Sequence, residues 1–100
     1  MDGRERIAEL LTNLVSEVRA GLDSGHTPAG EASNAMMFYV LADHLLGALN
    51  TPDRPMTPSA LAGGLRQLQE RCRGSLDCLR ARVAKAVEEA ENLDWDYRTA

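Results

Sequence analysis

The stretch that decides the fold is LRQLQERCRGSLDCLR, residues 65–80, in which Gly74 and Ser75 interrupt an otherwise helical pattern. Apolar residues recur every three or four positions on both sides of this pair. Because the spacing stays in phase, it predicts one continuous helix over residues 58–93, about 50 Å long at ~1.5 Å per residue. The alternative is a bend at Gly74 into a four-helix arrangement, since an interior glycine costs about 1 kcal/mol relative to alanine.

Two helices are predicted before this segment, over residues 3–22 and 29–49. In the first, apolar side chains share one arc of the helix and polar ones lie opposite. Thr27-Pro28 and Thr57-Pro58 are predicted helix starts, because Thr is a good N-cap and Pro is tolerated at the first helical position. The sequence therefore predicts a single all-α domain over residues 1–100, a bundle of three helices with a short acidic and aromatic tail, residues 94–100.

The second helix is apolar on more than one side. Phe38 and Leu45 belong to the expected buried stripe, whereas Met36 and Val40 project to the opposite side. A helix that is apolar all round is normally buried all round, which three short helices cannot arrange alone. The long third helix also extends past its neighbours and leaves apolar surface uncovered. Both features predict a homodimer or an unidentified protein partner, because symmetric dimers are the commonest oligomers.

The net charge of −4 argues against binding to nucleic acid or to an anionic membrane, both of which require a basic surface. The charges are uneven along the chain. Residues 66–85 are mainly basic and residues 88–96 are acidic, which suits antiparallel self-association, although a lopsided solvated face explains the pattern equally well. Ten of the 11 basic residues are arginine, a composition typical of a GC-rich genome and hence of a bacterial source.

The location is predicted to be cytoplasmic. No secretory leader is visible in MDGRERIAELL, residues 1–11. The longest apolar run, residues 35–42, is far shorter than the ~20 residues that cross a bilayer. Two cysteines, Cys72 and Cys78, without a leader indicate reduced thiols.

A small apolar ligand would fit best beside the second helix. Met adapts to irregular shapes and Tyr adds a polar group, so Met36, Met37 and Tyr39 are candidate ligand-binding residues, with Asp43 and His44 as further polar groups. Met and aromatic residues at helical spacing are more often simply part of the core, so ordinary core packing is the favoured interpretation of the same residues. Asp43 is expected to need a basic partner from another helix or another chain.

Candidate contacts for a protein partner come from the basic stretch and the tail. Arg71 and Arg82 lie in the basic stretch, residues 66–85, and Trp95 and Tyr97 lie in the tail, residues 94–100. Trp95 projects to the polar side of its helix, as an anchor for a partner would, or it folds back on its own bundle.

No residue pattern predicts catalysis, a metal site or a cofactor. Cys72 is expected to be packed and Cys78 half-exposed. On one continuous helix they cannot form a disulfide, whereas a break at Gly74 would let them approach each other. His26 and His44 lack the spacing of zinc or di-iron ligands. An enzyme is therefore the less favoured interpretation.

Two short strings resemble motifs of known families. GLDS, residues 21–24, resembles the phosphopantetheine attachment sequence of acyl carrier proteins, but a Gly- and Pro-rich loop follows where that family has a helix. Tyr39 and Asp43 have the spacing of the Tyr-x-x-x-Asp export signal of type VII secretion substrates, but the accompanying Trp-x-Gly turn is missing. Neither string identifies a family.

Two functions follow as competing hypotheses. The first is a small homodimeric protein that binds other proteins or regulates them. The second is a small-molecule binding protein or minor biosynthetic enzyme with an apolar pocket between helices.

Overall fold

Four α-helices make up most of the chain that the computed structural model describes, namely residues 3–51 and 56–99, with side chains to residue 93. They are α1 (Gly3–Asp23), α2 (Ala32–Leu49), α3 (Pro58–Glu70) and α4 (Arg80–Thr99). Short 3₁₀ turns, Ala29–Glu31 and Gly74–Leu79, precede α2 and α4. The described residues contain no strand, so the all-α prediction is confirmed.

Local sequence explains where α1 ends and α3 begins. After α1 the chain enters the left-handed region at Gly25 (φ 74°), and the N–H of His26 reaches back to the carbonyl of Gly21 at 3.2 Å. This is the glycine-dependent Schellman ending of a helix. At α3, the hydroxyl of Thr57 accepts a hydrogen bond from the N–H of Ala60 at 3.1 Å, which confirms the predicted Thr-Pro start. The other Thr-Pro pair opens the 3₁₀ turn before α2 without a side-chain cap.

The predicted continuous helix over residues 58–93 is wrong. The α-helix stops at Glu70, the chain turns through Gly74 with φ 59°, and α4 runs back along α3. The bend that was the alternative is therefore the observed structure, and the bundle has four helices. The apolar spacing did not reveal the break because a 3₁₀ turn repeats every three residues, so buried positions continue at steps of three and four.

Contacts with the start of α2 hold this corner in place. The carboxylate of Glu31 accepts a hydrogen bond from the N–H of Ser75 at 2.6 Å. Asn34 and Arg71 bond to each other twice, since the amide of Asn34 donates to the Arg71 carbonyl at 2.9 Å and the guanidinium donates back at 3.3 Å. The guanidinium of Arg80 donates to the carbonyl of Cys72 at 2.5 Å. These bonds satisfy polar groups that the end of α3 leaves free.

The helices form a ring of antiparallel neighbours, in which α1 packs mainly on α2 and α4, and α3 packs on the same two helices. Helices α2 and α4 are therefore diagonal to each other. The core is aliphatic apart from Phe38, as the composition predicts. Its buried members are Ile7, Leu11, Leu14, Val18, Ala35, Phe38, Ala42, Leu45, Leu61, Ala62, Leu65, Leu68, Cys72, Leu76, Leu79, Val83, Ala86, Val87 and Ala90.

Folding back at Gly74 changes two sequence-based expectations. The apolar face of α4 is covered by α1 and α3, so the argument for a dimer from an overlong third helix no longer holds. The charged residues are also separated. On one continuous helix, the alternating charges of Arg66, Glu70, Arg73, Asp77 and Arg80 would have the spacing of a ladder of ion pairs, but in the structure these residues lie on different elements. Arg66 pairs with Glu91 on α4 at 2.6 Å, and of the ladder pairs the described residues form only Asp77–Arg80 (3.3 Å).

Candidate functional site

The outer side of α2 carries the large apolar side chains that the described structure leaves exposed. Met36 is 49%, Met37 50% and Val40 55% exposed. Within the single chain, one side of this apolar helix is therefore left uncovered. Phe38 and Leu45 fill the core from the opposite side of the same helix.

We call this outer surface the α2 face and define it by seven exposed residues: Ser33, Met36, Met37, Val40, Asp43, His44 and Gly47. Its members lie three, four and seven positions before and after Val40, the spacing of one face of a helix. Both ends of the face are small, because Ser33 occupies one and Gly47 the other. A Cβ built at Gly47 would meet no atom within 4 Å.

On one flank of the α2 face, an open groove of about 740 Å³ separates α2 from α3 and the corner. Helix α2 lines it with mainly apolar side chains, and the other wall is polar. The lining residues are Met37, Val40, Leu41, His44, Gln67, Glu70, Arg71 and Arg73. The guanidinium of Arg71 is oriented by its bond to Asn34, whereas Arg73 has no ion pair with any residue that the structure describes. The groove therefore combines an apolar wall with two cationic groups and one carboxylate, that of Glu70.

On the other flank lies a smaller depression of about 210 Å³ between α2 and α1. Arg19, Leu22 and Asp23 line it from α1, and Met36 and Tyr39 line it from α2. Arg19 contacts Asp23 at 3.6 Å, but both side chains are about 70% exposed (67% and 72%). Such an exposed pair is worth less than ~1 kcal/mol, so Arg19 is available to another acidic group.

The structure separates the five candidate ligand-binding residues. Met37 and His44 line the groove beside α3, whereas Met36 and Tyr39 line the depression beside α1. Asp43 lines neither, and it forms no hydrogen bond or ion pair with a described residue. The described residues therefore do not form a single enclosed pocket around all five candidate residues.

The candidate partner-binding residues differ in whether they already bond to other residues of the same chain. Arg82 donates two hydrogen bonds to the carboxylate of Glu17, at 2.9 and 2.7 Å, so it joins α4 to α1 within the chain. The bond from Arg82 is the main cause that lowers the pKa of Glu17. Arg71 lines the groove and is half-buried. The side chains of Trp95 and Tyr97 lie outside the described residues.

Among the described residues, the two cysteines and His26 form neither a disulfide nor a metal site. Cys72 is buried, as predicted, and Cys78 is exposed where a half-exposed position was expected; both are free thiols although the chain does break at Gly74. Burial is the main cause that raises the pKa of the Cys72 thiol. The ring of His26 shares a hydrogen bond with the hydroxyl of Ser24 (3.0 Å) at the surface. Among the side chains described, no three His, Cys, Asp or Glu residues are grouped to hold a metal ion.

Sequence reasoning identified Met37 and His44 of the groove and Met36 and Tyr39 of the depression, but not Val40 and Leu41 on α2. It also missed Arg19, Gln67 and Arg73, which lie on polar faces of other segments, where no pattern in the sequence distinguishes them from other surface residues. In the described parts of the chain, no helix has both the length and the apolar character needed to cross a membrane. Comparison with protein-family models, curated proteins and solved structures found no match to this chain.

Proposed function

We propose that the protein is a small homodimeric interaction protein in which a second copy packs on the α2 face, and that the dimer binds or regulates another protein. The observation that carries this proposal is the placement of Met36, Met37 and Val40 together on one helix. Exposed apolar side chains scattered singly over a surface need no explanation, whereas a group of them is typical of an interface.

The size of the apolar group sets the expected strength of the dimer. Each of the three side chains is already about half covered in the single chain, so burying the remainder contributes about 1 kcal/mol apiece. The six side chains of the two copies together contribute about 6 kcal/mol, and association costs at least ~4 kcal/mol in lost freedom, so this contact alone makes a weak dimer. Polar contacts around the apolar centre add to the affinity, and we therefore expect dissociation in the high micromolar to millimolar range.

Molar mass in solution, measured by light scattering from about 1 µM to about 1 mM, tests the proposal. The wild-type chain is expected to change from monomer to dimer over this range. Val40→Glu places a charge at the centre of the α2 face and is expected to keep the chain monomeric throughout. Circular dichroism checks that the variant remains helical, which is expected because Val40 is 55% exposed and lies outside the hydrophobic core cluster.

The matched control is Ala81→Glu. Ala81 is exposed on α4, the helix diagonal to α2, so the same charge is added far from the proposed interface. This variant is expected to dimerise like the wild type. A wild-type chain that stays monomeric up to the highest concentration, or an equal loss of dimer in both variants, would contradict the proposal.

A second candidate function, small-molecule binding, is supported by the groove between α2 and α3. Its apolar wall and the guanidinium groups of Arg71 and Arg73 suit an apolar molecule that carries a negative charge. Anilinonaphthalene sulfonate has both properties, and its fluorescence reports binding. Arg73→Gln is expected to weaken that binding, and Arg66→Gln, on the far side of α3 toward α4, is the control. Equal fluorescence from both variants would remove this candidate.

A further inference from the structure

We infer that the two copies of the proposed homodimer pack with their α2 helices antiparallel about Val40, which places Asp43 of each copy beside Arg19 of the other. The inference rests on the proposed function and adds the orientation of the partner and the charged groups that define it. It follows from the shape of the α2 face, from its two flanks and from the charges that the single chain leaves available.

The first step is the symmetry of the α2 face. In an antiparallel pair centred on Val40, the chain directions are opposite. A residue that lies a given number of positions after Val40 is therefore level, along the helix axis, with the residue that lies the same number of positions before Val40 on the other copy. Ser33 then meets Gly47, so small residues face each other at both ends and the helices can approach closely. Met36 reaches the height of His44 and the open space at Gly47 of the other copy. Val40 meets Val40 of the other copy at the centre, and the two methionines of each copy are level with small or polar residues of the other.

The second step concerns the flanks. A two-fold axis that relates antiparallel helices lies across them in the interface, so it brings the α1 flank of one copy against the α1 flank of the other. At ~100° per residue, Asp43 lies on the same flank as Met36 and Tyr39. Those two residues line the depression with Arg19. Asp43 and Arg19 thus belong to the flank that the symmetry pairs with itself.

The third step concerns the positions of Asp43 and Arg19 along the long axis of the bundle. Asp43 is three positions after Val40, so it reaches the height of position 37 on the other copy. Arg19 lies at that height, because it shares the depression with Met36 and Tyr39. The symmetry produces this contact twice, once in each direction.

The fourth step is charge. Asp43 is exposed and has no partner among the described residues, and the side chain of Arg19 is 67% exposed. Antiparallel packing brings these opposite charges together. Parallel packing would instead set the α1 flank against the α3 flank at equal heights. Arg19 would then face Arg71, which is bonded to Asn34 at nearly the same height and has Glu70 beside it in the groove, so Arg19 would meet a mixed pair of charges and not an unpaired carboxylate.

Two single charge reversals, mixed with each other, test the inference. In a homodimer of Asp43→Arg, arginine at position 43 faces Arg19 twice; in a homodimer of Arg19→Asp, two pairs of carboxylates face each other. A dimer with one chain of each kind has only opposite charges at both contacts. Each variant alone is therefore expected to dimerise about tenfold more weakly than the wild type, and the mixture is expected to form the mixed dimer at near wild-type affinity.

Native mass spectrometry with one chain isotopically labelled counts the mixed and unmixed dimers. The control mixture combines Asp43→Arg with Arg73→Asp, which changes the same charges but places the new carboxylate on the α3 flank, away from position 43 of the other copy. No preference for the mixed dimer is expected there. An ion pair formed within one chain would give no such preference in either mixture, because mixing chains does not change contacts inside each of them.

The outcomes separate this inference from the proposed function. If the wild type dimerises, and Val40→Glu prevents it, but the two reversals mix only statistically, the α2 face is the interface and the antiparallel arrangement is wrong. If the wild type does not dimerise at all, the proposed function fails first. The antiparallel arrangement is supported if the Asp43→Arg and Arg19→Asp chains form the mixed dimer preferentially and the control mixture does not.

Discussion

The carboxylate of Glu31 accepts a hydrogen bond from the backbone N–H of Ser75 at 2.6 Å, across 44 positions of the sequence. Gly74 makes this contact possible in two ways. It adopts the left-handed φ of 59° that turns the chain, and it has no Cβ, which would otherwise collide with the Glu31 carboxylate. One residue at the start of α2 thereby fixes the point at which α3 gives way to the 3₁₀ turn before α4.

Replacing Gly74 with alanine should destabilise the fold. The left-handed conformation costs a non-glycine residue about 1–2 kcal/mol, and loss of the Glu31–Ser75 bond adds about 1 kcal/mol. We expect the free energy of unfolding, measured by urea denaturation, to fall by about 2 kcal/mol. Gly30→Ala is the control, because Gly30 has no atom near its Cβ position and no left-handed φ. Equal effects at the two glycines would contradict this account of the corner.

The adjacent glycines of α3 should respond to alanine in opposite directions. Gly63 has open space at its Cβ position, so Gly63→Ala is expected to raise the free energy of unfolding by about 1 kcal/mol through helix propensity. At Gly64 a Cβ would lie 2.6 Å from Cδ2 of the buried Leu45. Gly64→Ala is expected to lower the free energy of unfolding by about 1 kcal/mol, since overpacking outweighs propensity.

Thermal or urea unfolding of the two variants decides between these expectations. The double variant Gly64→Ala, Leu45→Val removes the atom that the new methyl group meets, and it should lose less stability than the two single changes together. If the effects of the two changes on the free energy of unfolding are strictly additive, contact with Leu45 is not the reason that alanine is unfavourable at position 64.

The ion pair between Glu17 and Arg82 should make stability depend on pH. The pKa of Glu17 is lowered from 4.5 in the folded chain, so the pair contributes above that value and its contribution is lost as the pH falls through the folded pKa. Both side chains are about half exposed (50% and 41%), which limits the contribution to about 0.5 kcal/mol at neutral pH. We expect Glu17→Gln to be less stable than wild type by that amount at pH 7 and equally stable near pH 3.

The control for this prediction is Glu88→Gln, since Glu88 is exposed on α4 and forms no ion pair with a described residue. Urea denaturation at several pH values measures both variants. If the difference between wild type and Glu17→Gln persists unchanged at pH 3, it does not arise from the ion pair.

The two thiols should react at very different rates. Cys78 is exposed, whereas Cys72 is fully buried and its pKa is raised chiefly by that burial, which disfavours the reactive thiolate. A chromogenic disulfide reagent is expected to modify Cys78 within minutes and Cys72 only as the chain unfolds. In Cys78→Ser the fast phase should disappear, and urea should restore reaction of the remaining thiol. A fast phase that survives in Cys78→Ser would show that the corner around Cys72 opens readily.

The all-α fold class, the buried residues and the extra apolar residues of the second helix could be predicted from the sequence, because all three depend on the spacing of apolar side chains. Leu65, Leu68, Leu76 and Leu79 recur at the helical spacing on the two sides of Gly74, and all four are buried. The candidate site was only half predictable. Met37 and His44 were identified from α2 alone, but the cationic wall opposite them comes from Arg71 and Arg73, whose positions depend on how α3 ends.

The sequence by itself determined that the chain forms amphipathic helices, which side of each helix is buried, and that α2 has apolar residues left over, because side-chain periodicity is a local property. Only the tertiary structure decided that the chain reverses at Gly74. The apolar period is nearly the same for a continuous helix as for two helices joined by a 3₁₀ turn, so the pattern cannot distinguish them. The choice depends on Glu31 and Asn34, which reach the corner only when α2 has packed beside it.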